Sequence, residues 1–215
     1  MLRIFMSVLS FAMCLSGIAK AHPHIFVDAS AAFIFDEHGK LQALRISWTY
    51  DEFTTLTLFE TLDLDKDGDG VLNDADHAAV IDGEPHWDPE DKGDVDLEVA
   101  GKDYPLGRPE AGAVTFENNR IEVSFNLPLS EQVAVTDTAV LLRLYDPGFY
   151  YAYTILPTLD ATDLPERCQA EIVPFDPNAT ERALKEQLAA LSREDTPTQQ
   201  NVGRLFSDEV RLTCG

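Results

Sequence analysis

Hydrophobic and polar residues alternate along the first part of the chain with the two-residue period of β-strands. Residues 25–35 show small, apolar and polar side chains in rough alternation, and an apolar pattern resumes at residues 41–49. Between the two stretches, Asp36-Glu37-His38-Gly39-Lys40 supplies residues that favour a turn. Because successive side chains of a strand point to opposite faces, this arrangement predicts a β-hairpin or meander.

The period of the pattern changes after Asp51. Phe53, Leu56 and Phe59 recur at helical spacing, which predicts a short helix of about three turns. The acidic residues Asp51 and Glu52 suit the N-terminus of that helix. Further along, turn residues separate five more strand candidates, at residues 95–99, 113–116, 120–127, 139–145 and 150–156.

The C-terminal part of the chain changes character again. Residues 179–191 predict an amphipathic helix, residues 196–200 are typical of a linker, and residues 204–214 are expected to form a short strand or an extended arm. The expected fold class is α+β and mainly β, with an antiparallel sheet or sandwich as its body. We assign residues 22–160 to this body and residues 161–215 to a C-terminal helix and arm.

The N-terminus has the pattern of a signal peptide. Arg3 is followed by an apolar stretch, which ends in Ala19-Lys20-Ala21, an Ala-x-Ala cleavage site. The stretch is shorter than the roughly 20 residues of a membrane-spanning helix, so residues 1–21 are expected to be removed rather than to anchor the chain. Cleavage after Ala21 makes His22 the first residue of the exported protein, with no membrane span remaining.

The net charge of the chain limits the kinds of molecule that it is expected to bind. The chain has 16 basic and 38 acidic residues and a formal net charge of −22. Such a field repels nucleic acid and anionic membrane surfaces and concentrates cations, so no nucleic-acid partner is expected. Solubility alone would also explain the charge.

Two cysteines, Cys168 and Cys214, remain after cleavage. An even number in an exported chain favours a disulfide, which here would close a loop of about 45 residues and stabilise the fold by roughly 3–4 kcal/mol. The alternative is a metal site with two thiolate ligands, but the chain has no CxxC pair to support it.

An aspartate-rich segment follows the predicted helix and matches an EF-hand loop. Aspartates alternate at its start, Gly70 permits a sharp turn, and Leu72 occupies the position that is usually apolar. A register beginning at Asp63 also satisfies the acid spacing but puts Gly70 at that apolar position, so we prefer the register beginning at Asp65. The expected ligands for Ca²⁺ or Mg²⁺ are Asp65, Asp67, Asp69, the Val71 carbonyl, Asn73 and Asp76.

A second candidate site depends on processing. Cleavage after Ala21 would give His22 a free α-amine beside its imidazole, and His24 lies two residues further on. Nitrogen ligands of this kind suit Cu²⁺, Ni²⁺, Co²⁺ or Zn²⁺. His38, His77 and His86 are candidates to complete the site; alternatively, the five histidines are scattered surface residues.

Other chemical signals are weaker. The aromatic segment from Asp146 to Tyr153 is expected to be a turn and strand that pack against the core rather than a ligand surface. The sequence has no nucleophile elbow, phosphate-binding loop or HExxH pattern, which weighs against a common hydrolase. We therefore do not expect an enzyme.

Several of these features together resemble the DUF1007 family of bacterial exported proteins. They are His22-Pro23-His24-Ile25-Phe26-Val27-Asp28, Trp48-Thr49-Tyr50-Asp51-Glu52-Phe53, the aspartate-rich loop, Leu144-Tyr145-Asp146-Pro147 and the two cysteines. The resemblance implies a periplasmic protein associated with an ABC-type system or with membrane transporters of nickel, cobalt or zinc. The chain departs from the family where Asp82-Gly83-Glu84-Pro85 interrupts the segment after the loop.

These observations leave three functions open. The first is a periplasmic transition-metal-binding accessory protein or metallochaperone, with a separate calcium-type structural site and an inner-membrane metal transporter or another periplasmic metal-binding protein as partner. The second is a copper-dependent redox enzyme that uses His22. The third is a calcium-stabilised protein-interaction module.

Overall fold

A computed structural model describes residues 22–83, 93–136, 139–156, 164–192 and 195–215. Within these ranges the chain forms strands, α-helices and a 3₁₀ helix. In chain order they are β1 (Ile25–Phe35), β2 (Leu41–Tyr50), α1 (Glu52–Thr61), α2 (Asp74–Gly83), β3 (Val95–Val99), β4 (Lys102–Asp103), β5 (Glu110–Glu117), β6 (Arg120–Val133), β7 (Val140–Leu144), β8 (Tyr151–Ile155), β9 (Cys168–Val173), α3 (Ala179–Ala189), the 3₁₀ helix (Val202–Phe206) and β10 (Glu209–Cys214).

The strands build two five-stranded sheets. The first sheet has the order β5-β6-β2-β1-β8, and the second has the order β4-β3-β7-β10-β9. Neighbouring strands are antiparallel except for β1 and β8, which are parallel. The predicted hairpin is confirmed, because β1 pairs with β2 across the turn at residues 36–40.

The hydrophobic core lies between the two sheets. In β1 every second residue from Val27 to Phe33 is buried, as the alternating sequence predicts. Apolar side chains from both sheets join one buried cluster, which includes Ile46, Phe125, Leu142 and Leu212. Burying each such side chain contributes about 1.5–3 kcal/mol, so the sandwich is held mainly by this layer. The predicted class, α+β and mainly β, is confirmed.

Helix α1 forms where the sequence predicts it, but only part of its apolar stripe faces the sheet. Phe53 and Leu56 are 76% and 68% exposed, whereas Thr55 is 2% exposed. The Thr55 hydroxyl accepts a hydrogen bond from the backbone N–H of Ile121 in β6, at 3.1 Å. Phe59 of the same apolar stripe does pack against the core, next to Phe116. Apolar spacing therefore predicts the helix, whereas the hydrogen bond to β6 helps to set which of its side chains face the sheet.

The C-terminal segment contributes two strands to the second sheet. Strand β9 has no counterpart among the predicted elements, and its residues alternate between half-buried and exposed at the sheet edge. Residues predicted as a strand or arm divide into the end of the 3₁₀ helix and β10. Cys168 faces Cys214 across β9 and β10 and is bonded to it, so the predicted disulfide is confirmed.

The predicted signal peptide, residues 1–21, lies outside the described residues. Among the residues that are described, no helix has the length and apolar character needed to cross a bilayer.

Candidate metal centres

The N-terminal histidines lie together at one edge of the first sheet. His22 is only 5% exposed, and its ring centroid lies 4.9 Å from that of His24. The ring of Tyr150 lies 4.6 Å from the ring of His24 and 6.0 Å from that of His22. We refer to His22 and His24 as the histidine pair.

The loop before β8 fixes the backbone beside the pair. The Tyr150 carbonyl accepts hydrogen bonds from the N–H groups of His24, at 2.8 Å, and Ile25, at 3.2 Å. The Asp146 carboxylate in turn accepts from the N–H groups of Tyr150 and Tyr151. The aromatic segment that the sequence predicts as core thus also holds the start of β1 in place.

Asp51 provides a second anchor for the same segment. Its carboxylate accepts from the N–H of Phe26 at 3.0 Å and from the N–H and hydroxyl of Thr54 at 2.8 and 2.9 Å. It therefore caps α1 and holds β1 at once. Burial alone would raise the pKa of the Asp51 carboxyl, but the donors on Thr54 and Phe26 hold that pKa below its ordinary value.

One ring nitrogen of His22 has no hydrogen-bond partner among the described residues. This atom, Nδ1, is buried. Burying an unsatisfied polar nitrogen is costly, so such an atom suits a ligand that arrives later. The Nε2 atom of His24 is also buried.

Asp195 lies near enough to His22 to interact with it electrostatically. The pKa of the Asp195 carboxyl is lowered mainly because the Ser192 side chain and backbone N–H donate hydrogen bonds to it, and an electrostatic interaction with His22 lowers it further. Nothing in the sequence links Asp195 with His22, since 173 positions separate them. Ring contacts therefore add Tyr150 to the surroundings of the pair, and an electrostatic interaction adds Asp195.

The other predicted histidines are not gathered at this point. His38 follows β1, whose 11 residues span about 35 Å, so it lies at the far end of the strand from His24 and does not complete the site. His77 lies on α2, which contacts β5 at the opposite edge of the first sheet, about 19 Å or four strand spacings from β8. His86 lies outside the described residues.

The aspartate-rich loop brings three carboxylates together. Oxygen atoms of Asp65, Asp67 and Asp69 all lie within 4.8 Å of one another. The Asp65 carboxylate also accepts from the N–H groups of Asp69, at 3.0 Å, and Gly70, at 3.1 Å. Gly70 has a φ of 79°, which is the backbone conformation that the sharp turn requires.

The end of the loop is arranged differently from its start. Asp76, 6% exposed, accepts from the N–H groups of Asp65 at 3.2 Å and Asn73 at 2.9 Å, and it is not one of the three grouped carboxylates. The Asn73 side chain accepts from the N–H of Ala75 at 2.8 Å, at the start of α2. Leu72 is buried and Val71 is exposed, which fits the register beginning at Asp65.

The two candidate centres are therefore well separated. The histidine pair lies where β1 meets β8, and the loop leads into α2 against β5. Strands β8 and β5 form opposite edges of the first sheet. A change at one centre can consequently be made without touching the side chains of the other.

Comparison with known proteins gives a family but no activity. Residues 7–214 match a family model described as "Protein of unknown function (DUF1007)". The chain is also similar to an uncharacterized protein of Haemophilus influenzae, with 20% identity over 209 residues that cover 90% of this chain and 91% of that protein. No solved structure matches the chain.

Proposed function

Since the chain belongs to the DUF1007 family, whose function is unknown, we propose from its own geometry that it is a periplasmic transition-metal-binding accessory protein. The observation that carries the proposal is the buried Nδ1 atom of His22, which has no hydrogen-bond partner among the described residues and lies beside His24. A bound metal ion would provide an interaction partner for this nitrogen.

Export and processing give the site its chemistry. The Ala-x-Ala sequence before His22 supports cleavage there, and the disulfide between Cys168 and Cys214 supports an oxidising compartment such as the periplasm. Cleavage creates the α-amine of His22, which together with Nδ1 of the same residue can chelate one metal ion. His24 then offers a third nitrogen, a set that suits Cu²⁺, Ni²⁺, Co²⁺ or Zn²⁺.

An accessory role accounts for the remaining features better than transport by this chain alone. The mature protein would have about 190 residues, whereas an ordinary solute-binding protein needs two α/β lobes. We therefore propose that it passes metal to, or receives it from, an inner-membrane metal transporter or another periplasmic metal-binding protein. The strongly negative net charge supports this role by concentrating cations near the surface.

We propose a separate structural site for Ca²⁺ or Mg²⁺ in the aspartate-rich loop. The grouping of Asp65, Asp67 and Asp69 within 4.8 Å supports it, because hard divalent cations take carboxylate oxygens as ligands. Asp76 stands where EF-hand loops carry a bidentate Glu, and its shorter side chain already bonds two backbone N–H groups. We expect a modest affinity and a stabilising role for this site.

Titration of three forms of the protein tests the histidine site. The forms are mature protein beginning at His22, the same protein with one extra N-terminal alanine, and a His24→Ala variant, with His38→Ala as a matched control. Affinities for Cu²⁺, Ni²⁺, Co²⁺ and Zn²⁺ are measured by competition with a chelator. Loss of an outer-shell partner costs 10–100-fold, so loss of a direct ligand should weaken binding by at least about 100-fold.

The outcomes separate the alternatives. Weak binding by the extended form and by His24→Ala, with normal binding by His38→Ala, supports the proposal. Equal binding by the mature and extended forms would show that the α-amine of His22 is not a ligand. Absence of any tight site in the mature form would refute the proposed function, and redox turnover by the copper-loaded form would favour the copper enzyme instead.

A further inference from the structure

A pocket beside the histidine pair is not explained by metal binding. It has a volume of about 330 Å³ and lies between the edge strand β8 and the C-terminal segment. Its walls include the aromatic residues Phe26, Phe149, Tyr151, Phe175 and Phe206. Pro23 borders the pocket, but neither histidine of the pair lines it.

The aromatic walls are held by packing. Phe149 is 5% exposed and belongs to a small buried cluster with Leu188 of α3 and Val202 of the 3₁₀ helix. The ring of Phe206 lies 4.8 Å from that of Phe149 and 5.7 Å from that of Phe175, between centroids. A pocket with such walls is preformed, so a ligand does not have to order them.

The close approach of the 3₁₀ helix to the loop before β8 contributes to this rigidity. Gly203 donates its N–H to the Pro147 carbonyl at 3.3 Å. A Cβ atom at Gly203 would lie 1.9 Å from the carbonyl oxygen of Asp146, so only glycine allows the two segments to meet.

The pocket is lined by one cationic and one anionic side chain, Lys185 and Asp208. Lys185 is an exposed residue of α3 at the pocket, with its Nζ 5.9 Å from the centre of the Phe149 ring. Asp208 also lines the pocket, but its carboxylate accepts a hydrogen bond from the Phe175 N–H at 2.9 Å. Lys185 thus places an ammonium group beside the aromatic rings, where it can pair with the anionic end of a ligand, while the Asp208 carboxylate is engaged with the backbone.

We propose that this pocket binds a small aromatic anion, with its ring against Phe175 and Phe206 and its carboxylate or sulfonate towards Lys185. Ligand pockets usually measure about 300–1,000 Å³, so a volume near the lower limit suits a molecule of one or two rings. Stacking on aromatic side chains provides affinity for the ring, and Lys185 selects the charge. The proposal does not require metal at the histidine pair.

Two fluorescent probes of similar size test the charge preference. Anilinonaphthalene sulfonate carries a negative charge and phenylnaphthylamine carries none. Both are titrated into the metal-free mature protein and into Lys185→Gln, with Lys102→Gln, an exposed lysine of β4 in the second sheet, as the matched control. An ion pair at an exposed lysine changes affinity by up to about fivefold, so Lys185→Gln should weaken binding of the sulfonate by about that factor and leave the neutral probe unchanged.

A third variant tests the location. Ala152→Leu adds volume to the lining of the pocket and should weaken binding of both probes, while circular dichroism and thermal melting check that the fold is intact. Equal binding of the sulfonate by the wild type and Lys185→Gln would overturn the proposal, as would an equal loss of both probes in Lys185→Gln. Failure of the wild type to bind the sulfonate would also overturn it, while leaving the metal proposal untouched.

Discussion

Replacing Asp51 with alanine should loosen the start of β1 and the start of α1 together. The carboxylate accepts hydrogen bonds from Phe26 N–H and from the N–H and hydroxyl of Thr54, at 2.8–3.0 Å. Loss of a helix N-cap costs about 1 kcal/mol, and loss of a further hydrogen bond to β1 costs about the same. We therefore expect the free energy of unfolding to fall by about 2 kcal/mol and the melting temperature by about 4–8 °C.

The same variant should show a distinct dependence on pH. The pKa of the Asp51 carboxyl is lowered in the folded protein from an ordinary value of 3.8, so its ionised form stabilises the fold at pH values above the ordinary pKa. That contribution is lost as pH falls through the lowered pKa of the folded state. The difference in stability between wild type and Asp51→Ala should thus be full at about pH 6 and should shrink below about pH 4.

Urea unfolding at several pH values measures both effects. Asp176→Ala, which removes an exposed aspartate, is the matched control and should change stability by less than about 0.5 kcal/mol. Asp51→Asn keeps one acceptor oxygen, so its free energy of unfolding should lie between those of the wild type and Asp51→Ala. Because Phe26 lies two residues from His24, Asp51→Ala should also weaken metal binding, by up to about tenfold. A variant as stable as wild type, or a stability difference that does not change with pH, would refute this account of Asp51.

Three further predictions address other parts of the molecule. Calcium at 100 times its Kd should stabilise the wild type by about 2.7 kcal/mol and raise its melting temperature. Asp65→Asn should abolish this rise, and an unchanged calcium response in the variant would rule out the loop as the calcium site. Replacing Cys168 and Cys214 together with alanine should lower the free energy of unfolding by about 4 kcal/mol in urea, for the 46-residue separation that the disulfide closes, and a loss below about 1 kcal/mol would contradict the chain-entropy argument. Thr55→Val should cost about 1–3 kcal/mol in the same assay by leaving a buried N–H unpaired, while Thr57→Val on the exposed side of α1 should cost clearly less; equal costs would argue against the buried hydrogen bond.

The chain carries strong local information about its secondary structure. The rough alternation in β1 and the turn residues after it predict the hairpin, because successive side chains of a strand point to opposite faces of the sheet. The aspartate spacing and Gly70 predict the loop geometry in which three carboxylates meet, since these contacts span only a few residues. The cysteine count predicts the disulfide for a similarly simple reason, because only two cysteines remain after the expected cleavage.

Contacts between segments that are distant in the chain determine the features that the sequence does not predict. The sequence predicts α1 but not the rotation that buries Thr55, because that rotation depends on a backbone N–H of β6. Strand β9 exists through its pairing with β10, and its own alternation at the sheet edge is a weak signal. Neither feature can be recognised from residues that are close in the chain.

The His-Pro-His sequence identified the candidate ligands, and the tertiary structure decided their surroundings. Segments more than 120 positions away supply the ring of Tyr150 and the electrostatic interaction with Asp195. The same folding put His38 and His77 elsewhere, at the far end of β1 and beside the opposite edge of the sheet. Spacing along the chain specifies a site when its ligands share one loop, as in the aspartate-rich segment. It does not specify a site whose walls come from separate strands and helices, because the packing of the whole sandwich brings those walls together.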